Sequence, residues 1–427
     1  MLPITERILA PGVTLRAVQT KKFKTSVLSA SFLVPLCAET ASLDAVLPEV
    51  LRRGTQAHPD MESFSAVLDD LYGGTLEAIV RKKGECLAVG FWGSFLDDAF
   101  VPEPSHILED AAALLGEVLL RPAGEEGAFV PAYVTGERDN LVDRIRRRVN
   151  DKRGYALSRL REQMCAGEPF GVSGLGTEET ARAIDGAALA ARYREILRTA
   201  PLTLYYCGSA EPDRVEAALR TALAALPQTA RDPIPATTAP ERPAGPVRTF
   251  EDRMDVGQGK LALGFRTGGA FLGKDAIARG LLLNAVYGGS TTSKLFMNVR
   301  EKLSLCYFAN SSVTMSKGVL FVSSGVDFAN FARAEEEILA QLAACRAGSI
   351  DAEELESARR YVLNSIRSNL DAQGRLEEYW LSRAVSGTAF PPEELADAVA
   401  RVRRDEVVQA AQGVALDSVY RLLGKEA

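Results

Sequence analysis

On either side of one proline-rich interruption the chain repeats the same order of local signals, and a repeat of this length calls for a duplicated domain. Residues 68–91 read L-D-D-L-Y-G-G-T-L-E-A-I-V-R-K-K-G-E-C-L-A-V-G-F. Residues 299–326 read V-R-E-K-L-S-L-C-Y-F-A-N-S-S-V-T-M-S-K-G-V-L-F-V-S-S-G-V. Each is a helix end, a turn, a strand, a short polar turn and a second strand. The wider frame agrees. The first half predicts paired strands over 14–36, helices over 43–53 and 61–72, strands over 75–81 and 85–94, and a helix over 104–120. The second predicts a strand over 260–266, helices over 275–287 and 292–302, strands over 306–314 and 318–326, and a helix over 329–346. Charged amphipathic helices fill 128–164 and 353–370. The expected class is α+β: two domains, each an antiparallel sheet packed by helices.

The interruption is P-Q-T-A-R-D-P-I-P-A-T-T-A-P-E-R-P-A-G-P, residues 227–246. Its composition predicts an extended, exposed, semi-rigid linker. The expected domains are therefore 1–226 and 247–427, with 227–246 between them. A chain of 427 residues exceeds what one core organises, and two cores of roughly 200 residues suit it.

Charge excludes some classes. The net charge is −6 with both signs interspersed, so no basic face suggests nucleic acid. The six cysteines, Cys37, Cys86, Cys165, Cys207, Cys306 and Cys345, form no C-x-x-C pair. They read as reduced thiols of a cytoplasmic protein. No apolar run has the ~18 residues of a membrane span. The stretch 21–38, basic and then apolar, imitates a signal peptide but follows the strand-like G-V-T-L-R-A-V-Q, and is expected to be sheet.

The stretch A-V-L-P-E-V-L-R-R-G-T, residues 45–55, belongs to the helix expected over 43–53, with Leu43, Val46, Leu47, Val50 and Leu51 on one face. Asp44 or Ser42 is the expected cap, which would place Pro48 in the first turn, where proline is tolerated. This stretch resembles the active-site helix of the insulinase/pitrilysin-type zinc peptidases, the inverzincins. In them H-x-x-E-H on such a helix supplies two zinc-binding histidines and a general-base glutamate, with a G-T pair following. Aligned on Leu51, Gly54 and Thr55, Ala45 and Glu49 take the histidine positions and Pro48 that of the glutamate. The third ligand of the family is a glutamate on a later helix, within an E-R-x-x-x-x-x-E pattern. Here Glu137 and Arg138 match the pair, and Arg144 stands at the ligand position. A guanidinium has no lone pair to give a dication. The resemblance thus implies a zinc site altered at all four positions, with no metal and no cofactor. The two histidines, His58 and His106, follow no ligand spacing.

The second half keeps the family's other signature. G-G-S-T-T-S-K-L-F-M-N-V-R-E-K-L-S-L-C-Y-F, residues 288–308, resembles G-G-x-x-S-x-L-F, with one extra residue after the glycine pair, followed by V-R-E-K-x-x-L-x-Y, at Gly288, Gly289, Ser293, Leu295, Phe296, Arg300, Glu301, Lys302, Leu305 and Tyr307. In the family this arginine and tyrosine bind substrate backbone across a clamshell of which each chain forms half, and steady the tetrahedral intermediate. A guanidinium fork and a phenol supply the donors such a role needs. Pairing of Arg300 with Glu301 or Glu335 is the purely structural alternative.

The resemblance implies an inactive peptidase homologue that supplies Arg300 and Tyr307 to a zinc-bearing homologue and encloses unfolded peptide with it. That makes it one member of a hetero- or homodimer, with no nucleic acid and no membrane involved. The alternative is a scaffold or a peptide-binding, modification-associated homologue with no proteolytic role. A relocated active site on Cys37 or Cys165 is a third option, for which no histidine is placed as base.

Overall fold

Two sheets carry the chain, one from each half of the sequence. The computed structural model describes residues 3–102, 105–125 and 127–425. The first sheet has β1 (Ile4–Ala10), β2 (Val13–Gln19), β3 (Thr25–Pro35), β4 (Thr75–Lys83), β5 (Cys86–Leu96) and β6 (Leu202–Gly208), in the order β1-β2-β6-β3-β5-β4. The second has β7 (Arg248–Met254), β8 (Gly259–Arg266), β9 (Cys306–Thr314), β10 (Val319–Val326) and β11 (Ala415–Gly424), in the order β7-β11-β8-β10-β9. The strands expected over 14–36 are present but do not pair with each other, because β6 lies between them. Every residue of β6 is buried, as both faces of a central strand require. Most pairings are antiparallel; β2 with β6 and β11 with β7 are parallel.

The compact units do not follow a single cut in the linker. The first comprises Met1–Arg146, Val172–Ala236 and Ala372–Gly387. The second comprises Arg147–Gly171, Thr237–Asp371 and Thr388–Ala427. Each sheet thus has helices of its own half on one face and a helix from the other half of the sequence on the opposite face. In the first unit the main core joins the sheet to helices Ala41–Leu51, Ile107–Leu120 and Pro212–Ala222. The other face receives helix Gln373–Val385, whose Leu381 packs on Leu33, Cys86 and Ala88. Its Glu377 is buried, accepting from Ser29 Oγ at 3.2 Å and from Arg81. In the second unit helix Lys152–Met164 packs Ala156, Leu160 and Met164 against Ala262, Phe321, Tyr420 and Leu422. A buried ionic knot follows it: Glu168 takes Arg266 at 2.6 Å and Lys317 at 2.6 Å, and Arg266 also takes Asp417 at 3.0 Å.

Residues 227–246 have no helix or strand, as their prolines predict. They are nevertheless held. In the first unit Arg231 donates to the carbonyls of Ala200 and Leu197 at 2.5 and 3.0 Å, and the Asp232 amide to Thr199 at 2.7 Å. In the second unit Lys317 Nζ donates to the Thr238 carbonyl at 2.5 Å. Among the described residues no helix is long and apolar enough to cross a membrane.

Candidate functional site

Helix Ala41–Leu51 begins earlier than its sequence suggests. Its cap is Thr40, so Pro48 lies well inside it, where proline costs about 3 kcal/mol of helix stability. Asp44 is no cap. It is buried and takes Arg192 through two bonds of 2.7 and 3.1 Å. Burial raises the Asp44 carboxyl, and the Arg192 guanidinium opposes that by holding its charge. Ser42 is no cap either; its hydroxyl donates to the Leu175 carbonyl at 3.1 Å and contacts Thr180. Pro48 packs with Leu47, Leu51, Phe32 and Tyr193 around an apolar cavity of about 20 Å³. The G-T pair is structural too. A Cβ on Gly54 would lie 2.5 Å from the Pro59 carbonyl oxygen, and the buried Thr55 donates to Glu117 at 2.7 Å.

Of the positions read as altered in the zinc site, Glu49 and Arg144 meet. Arg144, on helix Pro131–Arg147, reaches Glu49 at 2.8 Å. Glu137 on the same helix takes Arg53 at 2.5 Å and Asn140 at 3.1 Å. The two pairs form an antiparallel ladder, with Glu49 and Arg53 opposite Arg144 and Glu137. Where a metal would need converging lone pairs, the chain has a carboxylate neutralised by a guanidinium, with buried Ala45 one turn before it. Among the described residues no group of three or more His, Cys, Asp or Glu is arranged to hold a metal. The histidines lie apart from the ladder in role: His58 stands 3.9 Å from Glu117, and His106 precedes helix Ile107–Leu120.

The retained signature lies on irregular backbone. Residues Ala285–Gly289 and Leu295–Lys302 are wound as π-helix, a rare form enriched at functional sites. Ser304 then takes φ 49°, a left-handed conformation costly for a residue with a side chain. Two residues on, the β9–β10 register slips: Phe308 faces Gly325 and Cys306 faces Val326, leaving Tyr307 as the extra residue of a bulge. Bulges re-aim side chains, and Tyr307 is 63% exposed. Its hydroxyl bonds to nothing among the described residues. Arg300 is 41% exposed, stacks 4.6 Å over Phe296 and stands 3.5 Å from Glu301. Glu335 is engaged by Arg421 instead, at 2.8 Å.

Neither cysteine considered as a nucleophile is equipped for it. Cys165 is buried, and burial pushes its thiol up to about 11. Cys37 is half-buried and bonded to Glu39.

A family profile described as "Peptidase M16 inactive domain" matches residues 183–362. A Bacillus subtilis (strain 168) protein named "Probable inactive metalloprotease YmfF" is 31% identical over 415 residues, 97% of this chain and 96% of its own length. The chain belongs to the M16 peptidase family. It is a non-catalytic M16 homologue, in keeping with what stands at positions 45, 48, 49 and 144. The crystal structure of a conserved protein from Enterococcus faecalis V583 aligns with a TM-score of 0.90 at 26% identity, covering 99% of each chain. An "Uncharacterized zinc protease YmxG", also of Bacillus subtilis (strain 168), is 28% identical over 137 residues, 32% of this chain and 33% of its own.

Proposed function

We propose that this M16 homologue is the peptide-holding, zinc-free subunit of a two-chain peptidase. An extended peptide lies against Arg300 and Tyr307, and a zinc-bearing homologue with H-x-x-E-H performs the cleavage. The chain would act in the cytoplasm of a bacterium, consistent with free cysteines of which five are buried. One observation carries the reading: irregular backbone ending in the exposed Tyr307 side chain coincides with the matched signature, while Glu49 and Arg144 form an ordinary ion pair. A side chain kept only for stability has no reason to project from a bulge beside a strained residue. That Bacillus subtilis holds both a relative named inactive and one named a zinc protease fits such a division of labour.

The test is reconstitution. The chain is mixed with the zinc-bearing M16 homologue of its own cell, and cleavage of an unfolded protein is followed. The mixture is expected to cut and the isolated chain to bind no zinc and cut nothing. Removing a donor that steadies developing charge costs about 10²–10³ in rate, so Arg300→Ala and Tyr307→Phe should each slow the pair toward that extent with folding unchanged. Full activity of both variants, or one tightly bound zinc per isolated chain, defeats the proposal. Association without any cleavage favours the scaffold role.

A further inference from the structure

Helix Lys152–Met164 carries two arginines with opposite surroundings. Arg159 is ion-paired to Glu162 at 3.0 Å and to Asp252 at 3.2 Å. Arg153, at the start of the helix, has no carboxylate among the described residues. It donates to the Asn310 amide oxygen at 2.7 Å and stacks 4.5 Å over the Phe308 ring. A second cation stands over the same ring: Lys260 Nζ, 6.0 Å from its centre and bonded to the neutral Gln258 at 2.5 Å. Burial alone lowers the Lys260 ammonium, the expected state of a cation with no acid beside it. Lys152 lies 3.9 Å from the Met254 sulfur and has no carboxylate partner among the described residues.

The sheet is built to hold this arrangement. Lys260, Gly325 and Phe308 are direct neighbours across β8, β10 and β9. A Cβ on Gly325 would lie 2.6 Å from the Phe308 ring, so a glycine in mid-strand is what lets the ring lie flat toward Lys260. Asn310 is on the same face of β9, two residues on. β9 is also an outer strand, C-Y-F-A-N-S-S-V-T, with no charge and no proline. The other outer strands carry charges, I-T-E-R-I-L-A in β1, T-L-E-A-I-V-R-K-K in β4 and R-T-F-E-D-R-M in β7. Charge on an outer strand deters strand addition; β9 lacks that protection and instead has beside it two cations with no carboxylate partner among the described residues.

We propose that Arg153, Lys260 and Asn310 receive a carboxylate of an extended peptide lying along the free edge of β9, so that acidic segments are preferred. The inference rests on the peptide-holding reading above and adds its specificity. Main-chain bonding along the edge is blind to sequence. The planar fork of Arg153, with the ammonium of Lys260 at the same ring and the Asn310 amide beside it, selects a planar anion. Burial lowers the Lys260 ammonium, so water screens its pull on a carboxylate less than at an open surface.

The experiment uses the full chain and two short fluorescein-labelled peptides of Ser, Ala, Thr and Val that differ only in a central Glu or Gln, with binding read by fluorescence anisotropy. The wild type should prefer the Glu peptide by about fivefold to tenfold, as one charge-assisted bond supplies, and salt at ~0.3 M should shrink the preference. In the double variant R153Q/K260Q the two peptides should bind within about twofold of each other, with the Gln peptide unchanged. Arg300→Ala should weaken both equally. Equal binding of the two peptides by wild type, or a preference that survives R153Q/K260Q, overturns this inference and leaves the peptide-holding reading standing. Failure of wild type to bind either peptide overturns both.

Discussion

The two units pass from helix to outer strand by the same step and then diverge. In the first, helix Met61–Asp70 ends, Leu71 follows, and Tyr72 takes φ 59°. In the second, Leu295–Lys302 ends, Leu303 follows, and Ser304 takes φ 49°. These are the non-glycine residues with positive φ among those described, and they occupy equivalent places. After Tyr72 the first unit uses Gly73 and Gly74 to enter β4, which pairs with β5 without a slip in register. After Ser304 the second unit has no glycine, and β9 bulges at Tyr307. A duplicated scaffold can hold the same strained corner in both copies, but only one copy turns it into a projecting side chain. The residues proposed to hold peptide are thus set by irregular backbone, whereas the altered zinc positions lie on regular helices.

If so, the first unit keeps a frame that side-chain changes alone can refill. Ala45→His, Pro48→Glu, Glu49→His and Arg144→Glu together should let the chain bind one zinc, with a free energy on the order of 10 kcal/mol. Elemental analysis after gel filtration measures it, with circular dichroism to confirm folding. The 2.8 Å reach between Glu49 and Arg144 is the reason to expect the ligands to converge. A folded variant that holds no zinc would mean the helix positions have drifted as well.

Much of this was legible beforehand. The repeat of helix end, strand and strand gave both outer strands, because periodicity and turn residues are local. The altered ligands were readable by type, since arginine cannot donate to a metal. What was not legible is long-range. Residues 152–164 fall within the amphipathic stretch 128–164, and 373–385 lie beyond the helix expected over 353–370; nothing in either pattern says which sheet it covers. The insertion of β6 between β2 and β3 is likewise a matter of tertiary pairing. The early start of helix Ala41–Leu51 was missed because Asp44 looks like a cap, yet its real partner, Arg192, is far along the chain. The bulge at Tyr307 and the Phe308, Asn310 and Arg153 cluster left only a faint trace, the alternation F-A-N in a strand with no charge.

Within the first unit the buried and exposed pairs should part company. Arg192→Met leaves the Asp44 carboxylate buried without its partner, at a cost of about 3–5 kcal/mol. Arg144→Met breaks an exposed pair and should cost under ~1 kcal/mol. Urea titration of both variants compares them. Similar losses would mean that the Glu49–Arg144 ladder contributes more than its exposure allows.

The second unit should respond to acid through its ionic knot. Burial tends to raise the Glu168 carboxyl, but the bonds from Arg266 and Lys317 outweigh it and hold it below its ordinary value of 4.5. A carboxylate depressed in the folded state stabilises above its unfolded value and loses that contribution as pH falls through the folded one. Wild type should therefore lose denaturation midpoint as pH drops below about 4.5. Glu168→Gln should be weaker at pH ~6 and show a shallower fall over the same window. Parallel curves for the two proteins would remove Glu168 from the account.

The smallest effect bears most directly on the comparison. A left-handed residue with a side chain costs about 1–2 kcal/mol, and glycine recovers this less the ~0.4–1 kcal/mol it adds to the freedom of the unfolded chain. Tyr72→Gly and Ser304→Gly should therefore each stabilise the protein by roughly 0.5–1 kcal/mol, read as a small rise in urea midpoint. Their effects on peptide binding should differ. Tyr72→Gly relaxes a corner already followed by two glycines and should leave affinity alone. Ser304→Gly loosens the approach to the bulge, so Tyr307 is no longer held in one direction, and affinity should fall by about twofold despite the gain in stability. If both variants keep full affinity, the strain at Ser304 is only an inheritance of the duplication. If Ser304→Gly loses affinity alone, the second unit has kept that strain for the aim of one phenol.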